Sequence, residues 1–487
     1  MKPLKVLFLC SEAAPLIKVG GLGDVAGSLP PALRALPEKP DIRVCLPLYP
    51  AIKNLDLDLI PTASFELVHS SGPVLAEIYQ GVVNGVPFYF IDGSLIASSR
   101  TVYSGDNYQD GLKFTFFSLA AMELARNIGW KPDIVHAQDW HTAPAVYNLH
   151  RVRKKDDFFL GTRSLLTVHN LPYLGQGAEP ALAEFGLPAA RGSALPEWTS
   201  RLPLPLGLLT ADKINTVSPG YAREILTAEF GAGLEKFLMT RREDLSGILN
   251  GLDLESWDPE NDPELPFNYS AAELKDRAKN KTQLQEEIGL ERDPHQPLLA
   301  MVNRMDAQKG VDLVPDALRA LCNHDWQAVI LGTGDPELER AAKQLANDLP
   351  QVAAILKYDD SLARRIYAGS DIMLIPSRYE PCGLTQMIGM RYGCVPLARA
   401  TGGLKDTIID YHSSHREEST GFLFNQAAPR PLAKAVLRAL DVYKDQRHWR
   451  GLQRRGMKAD FSWEKSASKY LDLYNELSEL ELKIENL

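Results

Sequence analysis

Short apolar runs, each followed by polar or turn-forming residues, recur through the first half of the chain. Between several of them, apolar residues recur at helical spacing, notably over Asp110–Asn127 and Thr142–Arg153. Strands that alternate with helices predict a parallel sheet covered by helices on both faces. The predicted strands are Val6–Cys10, Arg43–Leu46, Pro87–Ile91, Ile134–His136, Ser164–Val168 and Lys213–Thr216.

A second alternation of the same kind follows a charged segment with a helical pattern, residues 270–288. A chain of 487 residues is too long for one hydrophobic core, so this alternation predicts a second doubly wound α/β domain. Its predicted strands are Leu298–Asn303, Gln327–Leu331, Val352–Leu356, Ile372–Ile375, Val395–Ala398 and Gly421–Phe424. Its predicted helices are Gly310–Leu321, Asp335–Leu349, Ser361–Gly369, Gly383–Tyr392 and Pro431–Tyr443.

Three other segments shape the predicted organisation. Residues 172–210 are rich in Pro, Gly and Ala and have weak periodicity, which indicates an irregular excursion. Dense turn signals at Asn250–Asp253 and Asp258–Pro263 predict the linker between the domains. The acidic segment Ser462–Leu487 has helical spacing, and we expect it to pack on the body of the protein.

Composition narrows the class of protein. The net charge of −9 argues against a general nucleic-acid surface. No apolar run approaches the roughly 18 residues that a membrane span needs, so we expect no membrane insertion. The five cysteines include no C-x-x-C pair, which favours reduced thiols and predicts a cytoplasmic protein.

The first strand leads into a glycine-rich stretch, Lys18–Val25, and a helical pattern begins near Asp24. This order brings backbone N–H groups and a positive helix end to one point, beside a lysine suited to phosphate. Ligands of parallel sheets lie beyond the carboxyl ends of the strands, where Ala137–His141 and His169–Gly175 also project. Taken alone, the stretch is also compatible with an ordinary connection between a strand and a helix.

Two turns of the second half carry sharper signals. Arg304 and Lys309 follow a predicted buried strand, where two cations can neutralise the charge that grows on a leaving diphosphate. A surface salt-bridge pair is the alternative. Glu380 precedes the predicted helix start at Gly383, and a carboxylate beside an anion-binding helix end suggests contact with sugar hydroxyls or a cationic transition state. An acid that caps the helix is the alternative there.

The chain also carries an ordered series of short motifs: Lys18–Val25, Gln138–His141, Thr167–Asn170, Thr210–Lys213, Thr216–Pro219, Ile248–Asp253, Gln308–Gly310, Pro376–Leu384 and Thr401–Leu404. In identity and order these motifs resemble those of the bacterial glycogen synthases and plant starch synthases, and they cover essentially the whole chain. The glycine stretch preceded by Ser11–Pro15 is similar to that of a cyanobacterial-type glycogen synthase group.

The resemblance implies a GT-B fold, in which two Rossmann-like domains, residues 1–248 and 249–465, face a deep cleft. A C-terminal helix, residues 466–487, would return to the first domain. The resemblance also implies retaining transfer of glucose from ADP-glucose to the non-reducing 4-hydroxyl of an α-1,4-glucan, without a metal or other cofactor. The implied partners are ADP-glucose and a glycogen-like or starch-like polymer, with no nucleic acid and no membrane.

Carried over by motif, the catalytic positions are Glu380, Lys309, Arg304 and His169. Arg304 and Lys309 would bind the diphosphate and stabilise the leaving ADP, and Glu380 would be the central carboxylate. His169 would contact the donor glucose through its backbone or its imidazole; a buried structural histidine is the alternative. Two other histidines are interpreted as mainly structural: His136 and His141.

The remaining implied positions bind substrates. The first glycine turn would bring its lysine and amides to the distal phosphate and the glucose of the donor. Two aspartates are expected near the acceptor and donor sugars, an aromatic residue at the adenine, and the later glycine turns at phosphate or sugar. In chain order these positions are Lys18, Gly20, Gly21, Asp24, Asp139, Asn170, Tyr358, Cys382, Gly383, Leu384, Thr385, Gly402 and Gly403.

Three positions depart from the family pattern. Ile388 stands eight residues after Glu380, where related retaining enzymes often carry a second acid, which weakens a mechanism with two carboxylates. Pro203–Gly207 replaces a lysine-bearing segment and leaves the acceptor contact open. Met305–Ala307 differs from the commoner sequence of the loop between Arg304 and Lys309, and these two cations are retained.

Two alternative functions stay open at this point. One is another retaining GT-B glucosyltransferase, which uses UDP-glucose or makes a disaccharide. The other is a weakly active glucan-binding or granule-initiation protein. The intact set of Lys18, Arg304, Lys309 and Glu380 favours the polymer synthase, because binding glucan alone needs no diphosphate clamp.

Overall fold

The computed structural model describes residues 3–411 and 416–479, and the chain divides into two compact units. Unit 1 comprises Met1–Gly251 and Trp463–Leu487, and unit 2 comprises Leu252–Ser462. The domain boundaries expected from the sequence are 248/249 and 465/466. The predicted helix that runs to Leu487 lies outside the described residues beyond residue 479.

Unit 1 is built on one mixed sheet. Its strands are β1 (Lys5–Leu9), β2 (Asp41–Pro47), β3 (Ile60–Leu67), β4 (Val74–Val83), β5 (Val86–Asp92), β6 (Ile134–Gln138), β7 (Arg163–Val168), β8 (Lys213–Thr216) and β9 (Leu245–Gly247). Within the described residues they form a nine-stranded sheet in the order β3-β4-β5-β2-β1-β6-β7-β8-β9. Strand β4 is antiparallel to both of its neighbours, and the other pairs are parallel.

Helices cover the parallel part of this sheet, which is why its strands are continuous apolar runs rather than alternating ones. Residues 6–9 of β1, for example, are all buried. The helices are α1 (Gly21–Ala35), α2 (Pro50–Lys53), α3 (Ser94–Ala97), α4 (Asn107–Asn127), α5 (Asp139–Val152), α6 (Glu179–Glu184), α7 (Pro203–Thr210), α8 (Pro219–Glu224) and α9 (Glu235–Thr240).

Unit 2 is built on an all-parallel sheet. Its strands are β10 (Leu298–Val302), β11 (Gln327–Leu331), β12 (Val352–Ile355), β13 (Ile372–Ile375), β14 (Val395–Arg399) and β15 (Phe422–Phe424). In the described part of the unit their order is β12-β11-β10-β13-β14-β15. Its helices are α10 (Arg277–Glu287), α11 (Leu313–Arg319), α12 (Pro336–Asp348), α13 (Asp360–Gly369), α14 (Thr385–Arg391), α15 (Gly402–Thr407), α16 (Pro429–Tyr443) and α17 (Gln446–Lys458).

A last helix, α18 (Trp463–Glu479), belongs to the core of unit 1. Its buried face includes Tyr470 and Tyr474. Tyr474 hydrogen-bonds through its hydroxyl to Nδ1 of His136 in β6 at 2.8 Å, and Asn215 of β8 donates to the hydroxyl of Tyr470 at 3.0 Å. The helix is therefore fastened to the sheet by buried hydrogen bonds as well as by apolar contact.

Each sheet has a point where the strand order reverses. In unit 1, β1 lies between β2 and β6, and in unit 2, β10 lies between β11 and β13. Ligands of such sheets bind beyond the carboxyl ends of the strands at this point, because the connections on either side diverge there. The segments that follow β1, β6, β10 and β13 carry most of the predicted site residues, and the others follow β7, β12 and β14.

Two differences between the structure and the sequence prediction concern unit 1. The antiparallel strands β3 and β4 were not predicted. Exposed positions are interspersed along both strands, and Pro61 lies at a register shift on the edge strand β3. Residues 172–210 are not irregular throughout, because they contain α6 and the buried helix α7. Proline in the first turn of α7 is tolerated, since no intrahelical N–H bond is needed there.

Among the described residues, every helix is too short or too polar to cross a membrane.

Tyr474→Phe should lower the free energy of unfolding by about 1–3 kcal/mol, because it leaves a nitrogen of the buried His136 without its hydrogen-bond partner. Urea denaturation of the variant and the wild type measures this change. Tyr173→Phe is the matched control, since Tyr173 is 56% exposed in the same unit. Equal losses in the two variants would contradict the role given to the Tyr474 hydroxyl.

Candidate active site

In unit 2 the turn after β10 presents the two predicted cations. Asp306 accepts a hydrogen bond from the Lys309 N–H at 3.0 Å and so closes a single 3₁₀ turn, Ala307–Lys309. Gly310 follows with φ of 67°, and a Cβ there would lie 2.2 Å from the carbonyl oxygen of Pro376. The turn is thus packed directly on the segment after β13. Arg304 pairs through Nε with Asp306 at 2.6 Å, and its side chain is 61% exposed.

Glu380 lies at the centre of this arrangement. Its Oε2 accepts a hydrogen bond from Nζ of Lys309 at 2.6 Å and another from Oγ of Ser377 at 3.0 Å. Glu380 is only 6% exposed. A buried carboxylate is tolerated when a cation and a hydroxyl compensate it, so the two side chains hold each other in place. The structure therefore brings together two predicted residues that are 71 positions apart.

The glycine turn after β14 fixes the backbone at Glu380. Gly403 donates its N–H to the carbonyl oxygen of Glu380 at 3.0 Å. Gly402 has φ of 44°, and a Cβ on it would lie 2.0 Å from that same oxygen. A Cβ on Gly403 would lie 2.1 Å from the carbonyl oxygen of Cys382. Any side chain at these two glycines would push the Glu380 segment away, so their first role is close packing.

Helix α14 begins later than predicted. The sequence predicts a start at Gly383, but this residue has φ of 74° and the helix runs from Thr385, with Leu384 as its N-cap. A left-handed residue cannot continue a right-handed helix, which explains the displacement. Gln386, in the first turn, donates to the carbonyl oxygens of Cys382 and Gly383 and so tightens this turn.

Arg378 is a residue of this site that the sequence did not single out. Its guanidinium forms two hydrogen bonds of 2.7 Å to the carboxylate of Asp312 and a third to the carbonyl oxygen of Ala307. Its backbone N–H donates to the carbonyl oxygen of Gln308 at 2.7 Å. Arg378 therefore ties the turn after β13 to the turn after β10. Planar, two-pronged pairing of this kind is specific to arginine.

Tyr358 lies apart from this group. It follows the edge strand β12, which β11 separates from β10, and it is 83% exposed. The predicted contact with adenine stays a prediction.

In unit 1 the turn after β1 is organised by Glu12, which sequence reasoning missed. Glu12 is 2% exposed and accepts hydrogen bonds through Oε2 from the N–H groups of Val19 and Gly20, the latter at 3.0 Å. Its Oε1 accepts from the hydroxyl of Tyr103 at 3.0 Å. Burial raises the pKa of the Glu12 carboxyl, and nearby Asp24 raises it further, against the effect of these hydrogen bonds.

This contact changes the expectation for the first glycine turn. The amide of Gly20 was expected to face the donor, but in the structure it donates to the protein's own carboxylate. Helix α1 begins at the next residue, Gly21, whose N–H belongs to the first helical turn. Lys18, with a side chain 50% exposed, pairs with Asp24 at 2.7 Å. The predicted lysine and aspartate thus lie together at the mouth of the turn.

The predicted residues after β6 and β7 also meet. Oδ1 of Asp139 accepts hydrogen bonds from the backbone N–H groups of His169 at 2.7 Å and Asn170 at 3.4 Å. Asp139 has a left-handed backbone with φ of 53°, which turns its side chain back toward β7. Burial raises its pKa to about 7, although both hydrogen bonds act in the opposite direction.

The histidines of unit 1 that lie near the site are uncharged at neutral pH. Burial lowers the pKa of His169 to about 3, and Nε2 of its ring lies 2.8 Å from Oε1 of Gln138. His136 bonds to Tyr474 and Thr167, in agreement with a structural role. His141 packs against the rings of Tyr103, Phe114 and Trp140 at centroid distances of 5.0, 4.7 and 4.4 Å.

No metal site is apparent in residues 3–411 and 416–479, where no group of three or more His, Cys, Asp or Glu side chains is arranged to hold an ion.

Comparison with known proteins gives consistent results for both units. Residues 5–240 match the family described as starch synthase catalytic domain, and residues 283–454 match glycosyl transferases group 1. The chain is 42% identical over 484 residues to a glycogen synthase of Anaeromyxobacter dehalogenans, covering 98% of this chain and 100% of the relative. It is 39% identical over 480 residues to glycogen synthase 2 of Geobacter sulfurreducens, covering 97% and 98%.

Solved structures extend the comparison. The catalytic domain of starch synthase IV from Arabidopsis thaliana, bound to ADP and acarbose, has a TM-score of 0.87 at 33% identity, over 98% of this chain and 100% of that one. A sucrose-phosphate synthase from Thermosynechococcus elongatus has a TM-score of 0.60 at 20% identity, over 97% and 99%, and this similarity concerns the fold alone. The predicted fold class, an α/β protein of the GT-B type with two doubly wound domains, is confirmed.

Asp139→Asn should alter the pH dependence of stability. With a folded pKa of about 7, raised above the ordinary 3.8, Asp139 binds its proton more tightly in the folded protein. Its contribution to the free energy of unfolding is therefore full below about pH 4 and falls by up to about 4 kcal/mol as the pH rises to 7. The amide of the variant does not titrate, so the wild type should lose stability relative to the variant over this window.

Urea denaturation of both proteins at several values between pH 4 and pH 7.5 measures the difference. Asp156→Asn provides the control, because Arg126 lowers the pKa of Asp156 and its contribution changes only below the usual carboxyl range. A stability difference between the wild type and Asp139→Asn that is constant over the window would show that Asp139 is not buried as described.

Proposed function

The chain belongs to the family of bacterial glycogen synthases and plant starch synthases, and we propose that it transfers glucose from ADP-glucose to the non-reducing 4-hydroxyl of an α-1,4-glucan with retention. It is a glycosyltransferase by this membership. Two findings support the finer assignment of donor and acceptor. The relatives are named glycogen synthases, and the similar starch synthase IV structure contains ADP and acarbose.

The observation that carries the proposal is the ion pair between the partly exposed Lys309 and the buried Glu380 at the strand-order reversal of unit 2. An ammonium group held in a fixed place stabilises charge that develops on a diphosphate leaving group without having to reorganise. Of the three N–H groups of Lys309, one is directed to Glu380 and the others remain for phosphate oxygens. The exposed guanidinium of Arg304 supplies a second cation to the same diphosphate.

The carboxylate of Glu380 has two distinct oxygens. Both described hydrogen bonds, from Lys309 and Ser377, go to Oε2. We assign Oε1 to the donor sugar, where it binds a hydroxyl or stabilises positive charge on the ring as the bond to the diphosphate breaks. Retention in this scheme depends on a stabilised leaving group rather than on a protein nucleophile, which suits a chain with Ile388 where a second acid is often found.

The residues of unit 1 suit contacts with sugar and phosphate. A neutral His169 forms a hydrogen bond with a glucose hydroxyl rather than balancing charge. Lys18 is assigned to the distal phosphate. Asp139 is assigned an indirect role, because its Oδ1 already accepts the N–H groups of His169 and Asn170 and so sets where that segment lies.

The proposal also covers the metal requirement of the transfer and the location of the protein. The transfer is proposed to need no metal ion, since the cations of the chain itself compensate the diphosphate. A cytoplasmic location is supported by the cysteines, which are all thiols in the structure.

Incubation of the protein with glycogen and labelled ADP-glucose or UDP-glucose tests the assignment. We expect elongation with ADP-glucose at a kcat/KM at least about tenfold above that for UDP-glucose, and the same rate with a chelator present. Preference for UDP-glucose, or transfer to a monosaccharide acceptor only, would support another retaining glucosyltransferase. Glycogen binding without elongation would support the weakly active binding protein.

Glu380→Gln and Lys309→Met should each lower kcat by about 10²–10³, because each removes a charge that is already in place when the diphosphate leaves. Binding of glycogen, measured by sedimentation with the polymer, should be unchanged. Glu287→Gln is the control: it breaks another ion pair of unit 2, with Arg365 at 2.8 Å, and should keep full activity. Retained turnover in Glu380→Gln would remove the catalytic role from this carboxylate.

A further inference from the structure

Glu12 occupies an unusual position for a carboxylate. It follows β1 at the strand-order reversal of unit 1 and is almost completely buried. None of the ion pairs within residues 3–411 and 416–479 involves it; its described partners are two backbone N–H groups and one tyrosine hydroxyl. Burying a carboxylate in this way is costly unless its hydrogen bonds are made, so the turn that supplies them is held to it.

The glycine turn is packed around this carboxylate. A Cβ on Gly23 would lie 3.0 Å from Oε2 of Glu12, and a Cβ on Gly20 would lie 3.7 Å from Oε1. Farther along α1, a Cβ on Gly27 would lie 2.3 Å from the carbonyl oxygen of Ala14. The segment from Glu12 to Ala14 is therefore enclosed by the turn and the first helix, and the glycines permit this enclosure.

Tyr103 connects Glu12 to a rigid helix. Its hydroxyl bonds to Oε1 of Glu12 and lies 3.1 Å from Oγ of Ser11. The neighbours of Tyr103 in sequence are fastened to α4: Nζ of the buried Lys113 donates to the carbonyl oxygen of Val102 at 2.6 Å. Asp110 accepts from the N–H of Ser104 and pairs with Lys113 at 2.7 Å. The position of Glu12 is thus fixed from two sides.

We propose that Glu12 is a positioning residue for the sugar-nucleotide donor: by binding the N–H groups of Val19 and Gly20 it holds the glycine turn so that Lys18 and the first amides of α1 keep a fixed place. Glu12 acts through the turn and does not touch the reacting atoms. The inference rests on the proposed function insofar as the turn receives the donor.

A side chain that acts only by accepting and giving hydrogen bonds can be replaced by its amide. In Glu12→Gln, Oε1 of the new residue can accept the two backbone N–H groups, while its NH₂ group donates to the oxygen of Tyr103, whose hydroxyl then turns to Ser11. A proton-transfer role would not survive this change. Glu12→Ala removes all three hydrogen bonds, and Tyr103→Phe removes one.

The experiment compares these three variants with the wild type, using whichever labelled sugar nucleotide the wild type turns over. We expect Glu12→Ala to raise the KM for the sugar nucleotide by about tenfold or more, with the KM for glycogen within about twofold. Tyr103→Phe should shift the same constant in the same direction by less. Glu12→Gln should return it to within about threefold of the wild type.

Hydrogen exchange of the peptide spanning residues 11–25 provides a readout that does not depend on activity. We expect faster exchange in Glu12→Ala and near wild-type exchange in Glu12→Gln. An unchanged sugar-nucleotide KM in Glu12→Ala would overturn the proposal. Loss of activity in Glu12→Gln equal to that in Glu12→Ala would also overturn it.

The set of variants still tests the proposal if Glu12→Ala fails to fold or if the proposed donor is wrong. If Glu12→Ala does not fold, Tyr103→Phe and Glu12→Gln still decide, because the proposal requires a raised sugar-nucleotide KM in the first and not in the second. If the proposed donor is wrong, this appears in the wild type alone, as turnover of another sugar nucleotide. The comparison of variants then proceeds with that donor.

Discussion

The hydrogen bonds accepted by two buried carboxylates determine much of the local geometry of this protein. Glu12 follows the central strand β1 of unit 1, and Glu380 follows β13 of unit 2, next to the central strand β10. Each is nearly inaccessible to water, so each must be satisfied by groups of the chain. The groups include the N–H groups of Val19 and Gly20, in the turn that presents Lys18, and the ammonium of Lys309 in the turn after β10. Moving either turn would leave a buried charge uncompensated, which makes the turns rigid without any ligand.

The presence of glycine around these carboxylates has an explanation other than phosphate binding. A glycine-rich turn before a helix is usually interpreted as a cradle for phosphate. Here Gly23 makes room for Glu12, and Gly402 and Gly403 make room for the backbone at Glu380 and Cys382. The close approach is internal to the protein in each case. The anion binding that we propose for the remaining amides would then be a consequence of how the turn is built around its own acid.

Much of the architecture could be predicted from the sequence, because buried parallel strands are continuous apolar runs and the turns after them are polar. Strands β1, β8, β11 and β13 match their predicted ranges within one residue. Strands β3 and β4 escaped prediction because exposed residues are interspersed along them, so neither forms a continuous apolar run. Helix α7 escaped because prolines conceal its helical start. The two doubly wound α/β domains were predictable from the alternation of strands and helices, whereas the GT-B type was accessible through the family resemblance.

The residues of the candidate site likewise include some that the sequence predicts and some that it does not. Glu380 was recognised because it stands beside a helix start, whereas Glu12 has a comparable position and was passed over. The hydrogen-bond partners of Glu12 lie 7, 8 and 91 residues away in sequence, and no local sequence pattern indicates that they meet at one carboxylate. Arg378 is similar, since its importance comes from Asp312, 66 positions earlier. Contacts between residues so far apart in sequence form only when the chain folds, so no single stretch of sequence predicts them.

The position of helix α18 in the chain constrains how the protein folds during its synthesis. Its residues Trp463, Tyr470 and Tyr474 belong to the core of unit 1, although the whole of unit 2 is encoded between them and the rest of that core. During synthesis from the N-terminus, unit 1 therefore emerges incomplete: the apolar surface that α18 covers is still exposed, and Nδ1 of His136 still lacks the hydroxyl of Tyr474. Its completion must wait until unit 2 has left the ribosome. The order of translation thus makes unit 2 the first part of the chain that can finish folding.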